Sequence, residues 1–164
     1  MNRLIEFLRQ KGFTEEAANL KNGSDILKLT EKNITDTDVK EISELLAEDT
    51  NIIQLDLFGN KISSDGAIAI AKLLKINKTI TSLDLGNNNI GKTGASEFER
   101  VLKANTTLIF LNLAWNPVEA AEYKNIKKYL VRNANLTNEQ EIVKIAKSFN
   151  EIDEDKLLKK LDIL

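Results

Sequence analysis

A 28-residue period runs through the middle of this chain. Leu-x-Leu pairs stand at Leu27 and Leu29, Leu55 and Leu57, Leu83 and Leu85, and Leu111 and Leu113. Three residues after the second Leu of the later copies come Asn60, Asn88 and Asn116, then Ile62, Ile90 and Val118 two further on. The first copy has Lys32 and Ile34 at those places. Ile52, Ile80 and Leu108 each precede a first Leu by three residues. A fixed period of this length implies that one small unit is stacked repeatedly, each copy completing the apolar interior of the next.

Each unit contains two local periods. The Leu-x-Leu stretch alternates, so both Leu side chains face one side of a short strand. The second half has helical spacing, with Ala67, Ile70, Ala71 and Leu74 at i, i+3, i+4 and i+7. Ala95, Phe98 and Leu102 repeat it, as do Val39, Ile42 and Leu46. Thr35 with Asp38 forms a capping-box-like start, and Ser63 marks another. A strand and a helix of this length cannot bury both apolar faces alone. Side-by-side stacking pairs the strands in parallel and seals the Leu rows beneath the helices. Strands lie about 4.8 Å apart and helices about 10 Å apart, so the stack must curve with its strands on the concave side.

These residues resemble the leucine-rich repeats of the ribonuclease-inhibitor type. The similarity is carried by Leu83, Leu85, Asn88, Ile90, Gly94-Ala95, Leu102 and Asn105-Thr106-Thr107. It extends over about residues 24–136. The resemblance implies an α/β solenoid, a right-handed βα superhelix with a short parallel sheet on the concave face and helices on the convex face. It also implies that Asn60, Asn88 and Asn116 form a structural ladder bonding loop backbone of adjacent coils. A neutral amide suits that role, since it donates and accepts without burying charge. Lys32 breaks the pattern, so the ladder should end there.

A solenoid needs caps over its terminal Leu rows. Residues 1–23 are expected to supply one. Leu4, Ile5 and Leu8 give a short amphipathic helix ended by Gly12, and Thr14–Leu20 reads as a degenerate half-repeat helix. Residues 24–136 hold the four repeats. Residues 137–164 are expected to form the second cap, with Glu139 where a strand Leu should stand. Ile142, Val143, Ile145, Ala146 and Phe149 make one apolar face there, and Leu157, Leu158 and Leu161 another. All three parts read as one domain, and a chain of 164 residues buries roughly 70% of its unfolded surface.

Composition narrows the chemistry. There is no Cys and no His, which excludes a disulfide framework, Cys/His metal sites and Ser-His or Cys-His nucleophiles. The formal net charge is -2, unlike a general polyanion binder, and Lys124, Lys127 and Lys128 read as solvated helix surface. No apolar run approaches the ~20 residues of a membrane span. The N-terminal stretch lacks a continuous signal-peptide core, so the protein is expected to be cytoplasmic, or secreted into a host cell without a standard signal. The sites Asn22, Asn33, Asn77, Asn105 and Asn135 of Asn-x-Ser/Thr type read as fold residues rather than glycosylation acceptors.

Outward strand positions carry what function can be read. Asp56 and Asp84 occupy the same outward position in adjacent copies, with Cβ atoms about 5 Å apart. Such a pair could share a proton, bind a metal, or receive a Lys or Arg of a partner. The alternative is a repeat position filled by Asp and solvated by the open concave side. Catalysis and a metal are both disfavoured, and no cofactor is expected. Gln54 and Asn112 stand beside the pair, and Phe58, Phe110 and the single Trp115 also fall on outward positions. Exposed large aromatics are enriched at binding hot spots. Phe110 and Trp115 are either a recognition patch or covered by the C-terminal cap, and Phe58 is the better discriminator.

The expected function is therefore a monomeric, non-enzymatic interaction module that takes a protein or peptide on its concave face, with no nucleic acid and no membrane. The resemblance permits two alternatives. One is a regulator of a small GTPase or other nucleotide hydrolase. The other is a host-directed effector of an intracellular bacterium, suggested by the acidic cluster Glu151, Asp153, Glu154, Asp155 ahead of the last Leu residues.

Overall fold

In a computed structural model of the chain, residues 2–135 are described. Six helices and four strands alternate along them. Two helices come first, α1 (Asn2–Gln10) and α2 (Thr14–Lys21). Then follow β1 (Ile26–Lys28), α3 (Asp36–Leu46), β2 (Gln54–Asp56), α4 (Ser64–Ile76), β3 (Ser82–Asp84), α5 (Lys92–Leu102), β4 (Phe110–Asn112) and α6 (Ala120–Asn135). The strands pair in parallel in the order β1-β2-β3-β4, and the register aligns Leu27, Leu55, Leu83 and Leu111 in one row. A register step equals one sequence period because each turn of the coil consumes one repeat.

Each Leu of that row is at most 2% exposed, and the facing helix residues Val39, Ile42, Leu46, Ala67, Ile70, Leu74, Ala95, Phe98 and Leu102 are buried against it. Thr35 and Asp38 form the complete capping box at the start of α3, and Ser63 caps α4. Gly94 has a packing reason as well. A Cβ there would lie 2.8 Å from the Ala67 Cβ and 3.2 Å from the Ser64 backbone, so only glycine lets α5 approach α4 this closely.

The asparagine ladder is present. Asn60 donates from Nδ2 to the Leu29 and Leu57 carbonyls and accepts at Oδ1 from the Lys32 and Ile34 N–H groups. Asn88 donates to Leu57 and Leu85 and accepts from Ile62. Asn116 does the same with Leu85, Leu113 and Ile90. The ladder stops at Lys32, whose ammonium instead meets the Glu16 carboxylate of α2 at 2.7 Å. The departure from the repeat pattern is thus the point where the first repeat is tied to α2.

A second ladder, which the Leu-x-Leu pattern does not announce, runs on the far side of the strands. Asp49, Asn77, Asn105 and Asn133 recur at the same 28-residue interval. Asn77 donates to the Leu46 and Asp49 carbonyls, Asn105 to Leu74, and Asn133 to Asn105 and Leu108. Asn77 and Asn105 are 3% and 1% exposed, so both are closed to glycosylation in the folded chain. Arg132 completes this edge by donating to the Lys103, Leu102 and Asn105 carbonyls at the end of α5, where a cation also opposes the helix dipole.

Ahead of the first strand, α1 and α2 pack against the repeats. Leu4, Phe7, Leu8, Ala17 and Leu20 are buried, and Gly12 turns the chain between α1 and α2 at φ +82°. The expected C-terminal cap lies outside the described residues, as do Glu139, the two apolar faces and the acidic cluster. No helix among the described residues is long and apolar enough to cross a membrane.

Candidate concave recognition surface

The wall opposite the Leu rows is formed by alternate residues of the four short strands and the turns that follow them. Register places Gln54, Ser82 and Phe110 in one row, and Lys28, Asp56, Asp84 and Asn112 in the next. These positions were expected to be open to solvent, and much of the wall is not. Gln54, Asp56, Ser82 and Asp84 are 6%, 8%, 0% and 5% exposed. Strands about 4.8 Å apart leave little room between wide side chains, and on the inside of a curve their tips converge. Thr30 also donates to Asp56 at 2.7 Å, and Asn112 to Asp84 at 3.0 Å, which draws neighbouring rows together over the carboxylates.

Desolvation dominates the acid pair. Burial lifts the Asp84 carboxyl to about 6, against bonds from the Gly86 N–H and Asn112, while the Asp56 charge pushes it further up. Asp56 accepts from the Phe58 N–H as well as from Thr30. Neither carboxylate forms an ion pair within the described residues, although Lys28 stands in register beside Asp56. No group of three or more Asp or Glu among the described residues is placed to hold a metal.

The turns after the strands set the aromatic residues. Glu31, Gly59, Asn87 and Trp115 occupy one repeat position, and all four have positive φ, from 52° to 68°. Glycine and Asn suit that conformation, whereas a bulky side chain is strained by roughly 1–2 kcal/mol. Trp115 adopts it at φ 56° and is also 72% exposed. Its ring meets Phe58, two repeats away, edge to face with centroids 5.8 Å apart. Gly86 makes that reach possible. A Cβ there would lie 2.9 Å from the Phe58 ring and 2.7 Å from Asn112 Nδ2, so the missing side chain of the third repeat leaves the ground Phe58 covers. Phe58, Phe110 and Asn112 are half-buried.

The period, the ladder and the register together describe a leucine-rich repeat solenoid. Segments 48–71, 77–98 and 104–121 match the family described as Leucine Rich repeat. These three segments carry leucine-rich repeats. The unmatched first copy has the same strand register and helix position, and differs where Lys32 replaces the ladder Asn. Among solved structures, this leucine-rich repeat solenoid is similar to leiomodin-1 actin-binding site 2, with a TM-score of 0.52 and 22% identity. The match covers 83% of this chain and 97% of that one, and bears on the fold. No curated protein sequence matches the chain significantly.

The strain at Trp115 gives a direct expectation. Trp115→Gly removes both the positive-φ penalty and the exposed ring, so unfolding free energy should rise by about 1 kcal/mol. Urea denaturation checks this. An unchanged or lowered midpoint would show that the Phe58 contact outweighs the backbone strain.

Proposed function

We propose that this chain is a non-enzymatic binding module whose concave wall takes a protein or peptide partner, anchored by Trp115 and Phe58. The observation that carries the reading is Trp115 itself, a large ring 72% exposed on a backbone conformation unfavourable to it. Strained residues that fold stability does not require concentrate at functional sites. Phe110, Gln54 and Asn112 extend the wall around the pair, and Asp56 and Asp84 give it negative charge.

The helical second half of each repeat supports the ribonuclease-inhibitor-like subtype. The leiomodin fragment is named for binding another protein, which favours a macromolecular partner here without indicating which. Four strands span only about 15 Å, so the wall alone offers less than the ~800 Å² per partner of a standard interface. A peptide or one helix of a partner fits that size.

The test is affinity capture from the source cell with wild-type protein and with Phe58→Ala/Trp115→Ala. Hot-spot loss of 2 kcal/mol or more corresponds to about 30-fold weaker binding, so partners of the wall should vanish from the variant. Equal recovery of every partner would end the proposal.

A further inference from the structure

The acid pair poses a question that the fold leaves unanswered. Two carboxylates side by side on adjacent strands, each at least 92% buried, have no cation among the described residues. A buried charge without a counter-charge is among the costliest arrangements in a protein, and two like charges together are worse. Lys28 stands in register beside Asp56, is exposed, and makes no ion pair with it.

The acceptors around the pair are incompletely used. Each carboxylate can accept about four hydrogen bonds. Asp56 receives one each from Thr30 and the Phe58 N–H. Asp84 receives the Gly86 N–H and the Asn112 amide. Ser82, two residues before Asp84 on the same strand face, is fully buried, and its Oγ has no hydrogen-bond partner. An unpaired buried hydroxyl on the same wall is a second observation, independent of the acids, that points to a missing polar group. The aromatic pair of Trp115 and Phe58 borders this wall, with the Phe58 ring beside Gly86, two residues beyond Asp84.

We propose that the partner inserts an arginine side chain here, its guanidinium shared by Asp56 and Asp84, with Ser82 Oγ as a further acceptor and Trp115 against its flat face. This deepens the binding reading above and rests on it. A guanidinium suits the place better than an ammonium. It is planar, so it needs less room between side chains than a hydrated ammonium. It offers five N–H donors in a fork, which match several acceptors held on adjacent strands. It also stacks on an indole more readily.

The probe is acetyl-Gly-Arg-Gly-amide, compared with the same peptide carrying citrulline, the neutral isostere, or lysine. Trp115 is the only tryptophan, so its emission reports from the site. The arginine peptide should shift that emission saturably, with at least tenfold weaker effects from the other two. Asp56→Asn and Asp84→Asn should each reduce the arginine response to the citrulline level. Carboxyl carbon shifts of Asp56 and Asp84 in the wild-type protein give the same information without substitution. Equal titration by arginine and citrulline, or unchanged carboxyl signals, would overturn the assignment, and a lysine response matching arginine would overturn the choice of guanidinium. Captured partners lost from Phe58→Ala/Trp115→Ala but kept by both Asn variants would sink only the arginine claim. Partners kept by every variant would sink the binding surface itself.

Discussion

Asn60→Ala is expected to lower the unfolding free energy by about 3–5 kcal/mol, far more than removing a typical neutral side chain. The amide of Asn60 donates to Leu29 and Leu57 at 2.8 Å each and accepts from Lys32 and Ile34 at 3.1 and 2.9 Å. Asn60 is 9% exposed, so water cannot readily replace these bonds. Each buried backbone group left without a partner costs roughly 1–3 kcal/mol. Asn116→Ala is the comparison. Its side chain makes a similar set, but two of its bonds are 3.3 Å long and the residue is half-buried, so the loss should be about 1–2 kcal/mol. Urea denaturation of both variants reads the difference. Equal losses would mean that burial does not set the worth of a rung.

Asp84→Asn should move stability the other way at neutral pH. The folded chain holds Asp84 at about 6, against an ordinary value of 3.8. A raised carboxyl pKa means that the folded state keeps a proton which the unfolded chain has already released. Stability therefore falls as pH rises through the window from 3.8 to about 6, and above it the full penalty is in place. The shift corresponds to about 3 kcal/mol at pH 7. Asparagine removes the charge but turns one donor toward Asn112, so a net gain of about 1–2 kcal/mol is expected. Below pH 3.8 the carboxyl is neutral in both states, and the gain should disappear. Thermal melts of both proteins between pH 3.5 and 7.5 test this. A constant difference across the range would show that Asp84 is not the titrating group. A residue that costs the free fold stability at neutral pH is also one proposed to meet the partner.

The fold was legible because repetition multiplies a weak signal. One Leu-x-Leu pair says little, but four at equal intervals fix strand register, since each coil must place its Leu in the same row. The first ladder was implied by the resemblance to ribonuclease-inhibitor-type repeats, on the recurrence of Asn60, Asn88 and Asn116. The second carried an equal signal, in the interval joining Asp49, Asn77, Asn105 and Asn133. It is masked in the sequence because Asp opens it and the last Asn lies within α6, so residue identity and local structure both vary while the backbone role stays constant.

The wall was legible only in part. Sequence alone determined which residues turn away from the Leu rows, because side chains alternate along a strand whatever surrounds it. It also placed Trp115 in one repeat position with Glu31, Gly59 and Asn87, whereas the positive φ of that position came from the tertiary structure. Whether an outward residue reaches water was decided by the tertiary structure. Curvature draws Asp56, Ser82 and Asp84 under their neighbours, and the glycine of one repeat opens a path for a ring from the repeat before it to meet a ring from the repeat after. Exposure depends on the distances between coils, and those distances follow from how helices and strands of unequal width share one stack.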